Sequence, residues 1–317
     1  MSTLSSSPQP KQQESRWHRF YDSDLVYAFR HSPVAILSAL LSLFMIGGAL
    51  VGPYFVPQDP FDPAALNLMD GMTKLGVPNE FTNNVFLFGT DPQGRDMLSA
   101  VVYGTRVSLL VGAASVLFSM VFGVLLGLIA GYYGGKVESI VMRVADVQLS
   151  FPAILIALLV FGVARGVIPP AQQESATLFL LIIAIGLSNW AQYARTVRGS
   201  TLIEKDREYV QAARVSGRSG LAIMALHILP NVMGPITVIA TINLALAIIE
   251  EATLSFLGVG MPPTQPSLGT LIRIGQQFLF SGEWWILLFP ALTLIVLALA
   301  INLLGDWLRD AINPKLR

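Results

Sequence analysis

The chain has 317 residues, 53% of them apolar and 13% charged, with 20 Lys and Arg against 20 Asp and Glu for a formal net charge of zero. An ordinary soluble domain carries about 25% charged residues; here apolar runs of ~18 residues or more recur until too little polar sequence remains to cover a soluble surface, which excludes a soluble globular protein. The absence of cysteine excludes disulfides, thiolate chemistry and cysteine metal sites.

The chain opens with MSTLSSSPQPKQQES, too polar to bury a core and expected to be disordered. Residues 1–30 read as this tail plus an amphipathic lead-in. The first apolar run begins near Val34 without a clean small-residue cleavage site after it, so it reads as a retained signal anchor. Hydropathy then predicts about six spans: Val34–Val56, Val107–Tyr132, Ile140–Val163, Leu178–Ala194, Val232–Leu254 and Trp285–Leu304. This is an all-α integral membrane protein. The anchor occupies 31–56, a Pro-, Asn- and Asp-rich outer loop 57–104, a five-helix core 105–312 and a short C-terminus 313–317.

Along the second span Gly123, Gly127, Gly131 and Gly135 fall on one helical face at every fourth residue. Such a face admits a neighbouring helix at close range, in the same chain or in a partner. In the third, Arg143 and Asp146 are spaced for a same-face ion pair. Pro152 and Pro290 fall inside apolar runs, where neighbours tolerate a kink. Glu250 and Glu251 lie about 30 Å along the helix from Pro230, toward the far boundary. The leading expectation is that the helix ends there with both carboxylates at the interface; the alternative is a gate or a packing contact with a partner.

Placing the N-terminus in the cytoplasm puts fifteen of the 20 Lys and Arg on the inner side and leaves Lys74, Arg95, Arg106, Arg165 and Arg273 outside. That bias fixes both termini and the polar insert 195–230 as cytoplasmic. Within the insert, EYVQAARVSGRSGLAIMALHILP reads as a short helix over Glu208–Val215, a turn at Gly217, a second short helix over about Ser219–Ile228, and Pro230 opening the fifth span. Ala212, Ala213 and Gly217 carry little side chain, so another protein's surface can approach the backbone. That suits a docking site.

This segment resembles the cytoplasmic loop of ATP-binding-cassette importer permeases, whose pattern is EAA, three residues, Gly, nine residues and I-x-L-P. Here Gln211-Ala212-Ala213, Gly217 and His227-Ile228-Leu229-Pro230 stand at that spacing, with Gln211 in place of the family glutamate and His227 in place of isoleucine. The likeness continues through FGTDPQGRDMLSAVVYGTRVSL, NWAQYARTVRGSTL, EEATLSFLGVG and LLGDWLRDAINP, which are similar to the C-type permeases of the dipeptide, oligopeptide and nickel group. Departures are Ala100, Leu268 and Trp307 where arginine, tryptophan and glycine are frequent.

The resemblance implies a type I importer permease fold and no catalytic residue. It implies a lipid-embedded chain in a bacterial inner membrane, paired with a homologous B-type permease. Two ABC ATPase subunits would use ATP and Mg below, and an extracytoplasmic substrate-binding protein would deliver cargo above. No cofactor, metal or nucleic acid would be bound by this chain. Glu208, Gln211, Ala212, Ala213, Arg214, Gly217 and Pro230 would form the coupling element facing the ATPase. Peptides are the implied cargo, with nickel chelates, opines and other peptide-like solutes as alternatives.

The chain's own motifs agree. Its only Gly-Lys pair, Gly135-Lys136, has Ala130 where a phosphate-binding loop needs glycine and Val137 where it needs Ser or Thr. The three histidines have no metal-ligand spacing, and no nucleophile-elbow or zinc-protease stretch supports an enzyme. A stand-alone carrier would show related halves, and none is found.

Overall fold

The computed structural model describes residues 24–312. Among these the fold is helical, with no strand beyond two isolated bridges in the outer loop. Five helices are long and apolar enough to cross a membrane, six if one bent pair is a single span. The tail at 1–23 and the C-terminal 313–317 lie outside the described residues; the lead-in is present as helix α1, Asp24–Arg30.

Helix α2, Pro33–Val51, starts at Ser32, whose Oγ accepts from Ala35 N, with Pro33 in the first turn where its missing N–H costs nothing. It packs chiefly on the last helix and leaves Leu37, Leu40, Leu43 and Phe44 exposed, a surface suited to lipid.

Helix α3, Met97–Tyr133, has 37 residues. At about 1.5 Å per residue it exceeds a ~30 Å hydrocarbon core. It begins well before the expected Val107 because Asp96 caps it, accepting from Ser99 N at 2.8 Å and Ser99 Oγ at 2.6 Å. The outer loop therefore ends at Asp96. That loop is folded around buried polar groups. Asp70 accepts from Asn84 Nδ2 at 3.1 Å, and Asp91 Oδ1 accepts from Gln93 N at 2.8 Å and Arg95 N at 2.9 Å. Burial pushes the Asp91 carboxyl above its usual range, against those amides and Arg95. Trp285 Nε1 donates to Thr90 O at 3.1 Å and Phe88 stacks on Phe289 at 4.2 Å, fastening the loop to the last helix.

The third expected span is two helices, α4 (Gly135–Leu149) and α5 (Ala153–Val167), bent by 101° across Ser150–Pro152. Pro152 lacks an N–H and disfavours helical backbone at Phe151, so the helix cannot continue. Gln148, one turn before the break, fastens it to a neighbouring helix: its Nε2 donates to Leu187 O (2.6 Å) and Ser188 O (2.9 Å), and its Oε1 accepts from Trp190 Nε1 (2.6 Å). All three partners belong to helix α6, Pro170–Glu204, which packs against both arms. Asp146 pairs with Arg195 of α6 rather than with Arg143. Both side chains are more than half exposed, so this pair adds little stability.

The glycine face of α3 meets α6. A Cβ on Gly123 would lie 2.5 Å from Trp190 O, one on Gly127 2.6 Å from Ala194 O, and one on Gly131 2.7 Å from Thr201 Cβ. The close contact is thus within the chain. Gly135 does not belong to it: α3 stops at Tyr133, Gly135 has φ +58°, and nothing lies within 4 Å of its Cβ position. The four-residue period persists in the sequence after the helix has ended.

Helix α7, Glu208–Val215, and the short α8, Gly220–Ile223, follow on the side reached by the C-terminal ends of α3 and α6. Helix α9, Leu229–Phe256, is continuous with α8 through a π-turn over Met224–Ile228. Pro230 was expected to open a span; instead the chain is helical from Gly220, and the wider turn accommodates a residue that cannot donate to the ladder. Helix α10, Leu268–Gln276, is capped by Ser267, and α11, Trp285–Ile312, closes the bundle on α9, α10 and α2.

Candidate docking site and buried carboxylates

Helix α7 turns Val210 and Ala213 inward and leaves Glu208, Gln211, Ala212, Arg214 and Val215 exposed. Ala213 is therefore a core residue rather than part of a contact surface. It sits three residues after Val210, on the face that packs with Ile223, Met224 and Ile228. Arg214 lies with its guanidinium carbon 5.2 Å from the centroid of the Tyr132 ring, a cation–π contact at the end of α3.

The turn after α7 is a glycine-terminated helix end with both of its characteristic bonds. Gly217 N donates to Arg214 O at 2.9 Å and Arg218 N to Ala213 O at 3.2 Å, with Gly217 at φ +73°. Nothing lies within 4 Å of a Cβ built on Gly217. The glycine is required by conformation, and the space before it is open.

Four side chains, Lys205, Tyr209, Gln211 and Asn231, wire this element to the spans. Lys205 Nζ donates to Gly131 O at 3.1 Å, capping the end of α3. Tyr209 donates to Glu204 and accepts from Asn231 Nδ2 at 3.2 Å, while Asn231 also donates to His227 O at 2.7 Å. Desolvation, then the Glu204 carboxylate, push the Tyr209 phenol above its ordinary value. Gln211 Nε2 donates to Lys205 O at 3.2 Å, a bond the family's glutamate could not make. Displacing α7 would therefore pull on the ends of α3, α6 and α9 together.

Lys205, Tyr209 and Asn231 escaped the sequence reading because their roles depend on partners in other elements. So did Val215, 91% exposed, whose spacing puts an apolar side chain on the same face as Gln211 and Ala212, and Leu221, 70% exposed on the next short helix. The signal for Val215 was present: it is an apolar residue on the polar side of a short amphipathic helix.

Glu250 and Glu251 do not end a helix at an interface, since α9 runs on to Phe256. Glu251 is fully buried and accepts from Ser108 Oγ at 2.6 Å and Ser255 Oγ at 2.7 Å. Ser108 Oγ accepts in turn from Leu268 N at 3.3 Å, and Ser255 Oγ from Met261 N at 3.0 Å. One carboxylate thus ties α3, α9 and the segment leading into α10. Glu251→Leu is expected to strand two buried hydroxyls and cost about 1–3 kcal/mol, read as a lower unfolding temperature of the purified protein, with Glu251→Gln falling between. Glu250 is partly exposed and accepts from Asn189 Nδ2 at 2.8 Å. Among the described residues no group of His, Asp and Glu could hold a metal ion.

A bundle of membrane spans thus carries one ordered element that reaches past them, tied by hydrogen bonds to three of their ends and open on its outer side at Gly217. The family described as "Binding-protein-dependent transport system inner membrane component" matches residues 123–317. The dipeptide transport system permease protein DppC of Haemophilus influenzae is 36% identical over 294 residues, covering 92% of this chain and 94% of that protein. The glutathione transport system permease protein GsiD of Pectobacterium atrosepticum is 35% identical, covering 91% and 89%. A chain of the inward-facing MetNI methionine ABC transporter shares the fold at TM-score 0.51 and 21% identity, covering 68% of this chain and 98% of that one.

The chain belongs to the binding-protein-dependent transport system inner-membrane components, the permeases of ABC importers. It has the type I importer permease fold. It is a multi-pass inner-membrane protein and a transport subunit rather than an enzyme; ATPases and a binding protein are its partners in kind.

Proposed function

We propose that this chain forms half of a translocation path for peptides, beside a homologous B-type permease, with both termini in the cytoplasm. Two ATPase subunits bind ATP and Mg below, one of them against Glu208, Gln211, Ala212, Val215 and Gly217, and an extracytoplasmic protein delivers the peptide above. The observation that carries this reading is helix α7, which ends in a turn at Gly217 open on its outer side, and which is hydrogen-bonded through Tyr209 to the ends of α6 and α9 and through Gln211 to Lys205, the residue that caps α3. ATP-driven closure of the ATPases displaces α7, and those bonds convert the displacement into tilting of α3, α6 and α9. Peptide cargo is supported by relatives named for dipeptide, di/tripeptide and glutathione transport.

The test is affinity purification of tagged chain from native membranes. Recovery of a second permease, ATPase subunits and a peptide-binding protein supports the reading. A chain that purifies alone, without nucleotide hydrolysis, overturns it.

A further inference from the structure

We infer that Glu250 and Asn189 form a cation site within the translocation path, one that receives the free ammonium group of a peptide in transit. The inference rests on the peptide reading above and gives that path a residue-level contact.

Three observations converge. Glu250 lies within a membrane-spanning helix and is not sealed: one carboxylate oxygen accepts from Asn189 Nδ2 at 2.8 Å, and the other has no hydrogen bond and is not enclosed. Asn189 is buried near the middle of α6 and its amide is fixed by a second bond to Ile185 O at 3.1 Å, so the carboxylate is held rather than free to swing. The neighbouring residue on α6, Ser188, lends its carbonyl to Gln148 at the break between α4 and α5. Broken helices are tolerated at membrane depth where they are buried in protein or line a water-filled cavity, and discontinuous spans mark substrate sites in other transporter folds.

An open carboxylate oxygen facing lipid is expensive, so the unbonded side of Glu250 faces water or a cation. Among the described residues no Lys or Arg reaches it. A single presented oxygen suits a group that must bind and then leave. The contrast with Glu251 one residue on is direct: that carboxylate is fully buried with hydroxyl donors and has no room for a ligand. A peptide's terminal ammonium supplies the missing positive charge and three donors.

The experiment uses the complete transporter, with its partner permease, ATPases and binding protein, in proteoliposomes, and radiolabelled dialanine as the probe. Glu250→Gln keeps the acceptor for Asn189 and removes the charge. It is expected to lower maximal uptake about tenfold, leave the half-saturating concentration of loaded binding protein unchanged, and keep the complex intact on purification. Glu250→Asp is expected to restore uptake to within about threefold of wild type, and Thr253→Val on the same helix to leave it unchanged. Undiminished uptake in Glu250→Gln overturns the inference. So does loss of the partner permease on purification, which would make Glu250 half of a fixed inter-subunit ion pair. If the wild-type transporter takes up no dialanine or other peptide, the peptide reading falls first and this inference with it.

Discussion

Gly217→Val is expected to cut ATP-driven uptake by at least an order of magnitude while the amount of protein in the membrane stays within about twofold of wild type. The substitution meets no steric obstacle, since nothing lies within 4 Å of the new Cβ. What it disturbs is the backbone. A φ of +73° costs an L-residue about 1–2 kcal/mol, and a β-branched one more. The two bonds that close α7, Gly217 N to Arg214 O and Arg218 N to Ala213 O, are the ones given up if the turn relaxes. An eight-residue helix is marginal on its own, and the side-chain bonds of Tyr209 and Gln211 hold its start rather than its end, so the last turn of α7 frays and the outer face around Val215 loses definition. The spans are untouched, which is why insertion survives. Gly217→Asn separates conformation from size: asparagine enters the left-handed region readily and should keep most of the uptake. Gly217→Asp adds a charge to the docking face and should abolish transport even where the turn is kept. Uptake assays paired with quantitation of membrane protein decide it, and full uptake in the valine variant would remove the coupling role of this turn.

The order of the spans, the helix–turn–helix around Gly217 and the glycine face of α3 were legible because each is a local pattern. Hydropathy needs only a window of residues, and the helix–turn–helix is a spacing of Ala, Gly and Leu-Pro within one stretch. The break at Pro152 was half legible. Proline announced a kink, but whether the helix bends slightly or splits by 101° depends on Gln148 finding carbonyls on α6. Glu251 was misread because its partner Ser108 is 143 residues away. A carboxylate late in an apolar run looks like a helix end until the donors that bury it are known. Ala213 and Gly135 failed for opposite reasons. Ala213 was grouped with its neighbour although successive residues on a helix point about 100° apart. Gly135 was grouped by a period that outlived its helix. Asp146 found Arg195 on a packed helix rather than Arg143 on its own, because α4 crosses α6 there.

The α3–α6 seam yields a test in which one substitution changes sign with position. Gly162 lies in α5 with nothing within 4 Å of a built Cβ. Gly162→Ala removes a residue that disfavours helix by about 1 kcal/mol relative to alanine, so it should leave stability unchanged or slightly raised. Gly127→Ala carries the same propensity gain, but its Cβ would lie 2.6 Å from Ala194 O, 2.8 Å from Val197 Cβ and 3.1 Å from Ala194 Cα. Two of those three atoms are backbone and the third is a β-branched carbon fixed to it, so relief requires the helices to move apart. Overpacking of this kind costs about 1–3 kcal/mol for small additions, which outweighs the propensity gain. Gly127→Leu inserts four carbons at the same point and should exceed that range, approaching the ~5–15 kcal/mol that holds a typical domain together. The expected result is a chain degraded in the membrane, with Gly123→Leu behaving alike against Trp190 O at 2.5 Å. Membrane abundance and unfolding temperature across the four variants provide the measurement. Gly127→Ala as stable as Gly162→Ala would mean that α3 and α6 do not approach this closely. The line along which the proposed displacement of α7 reaches the path would then have to be sought between other helices.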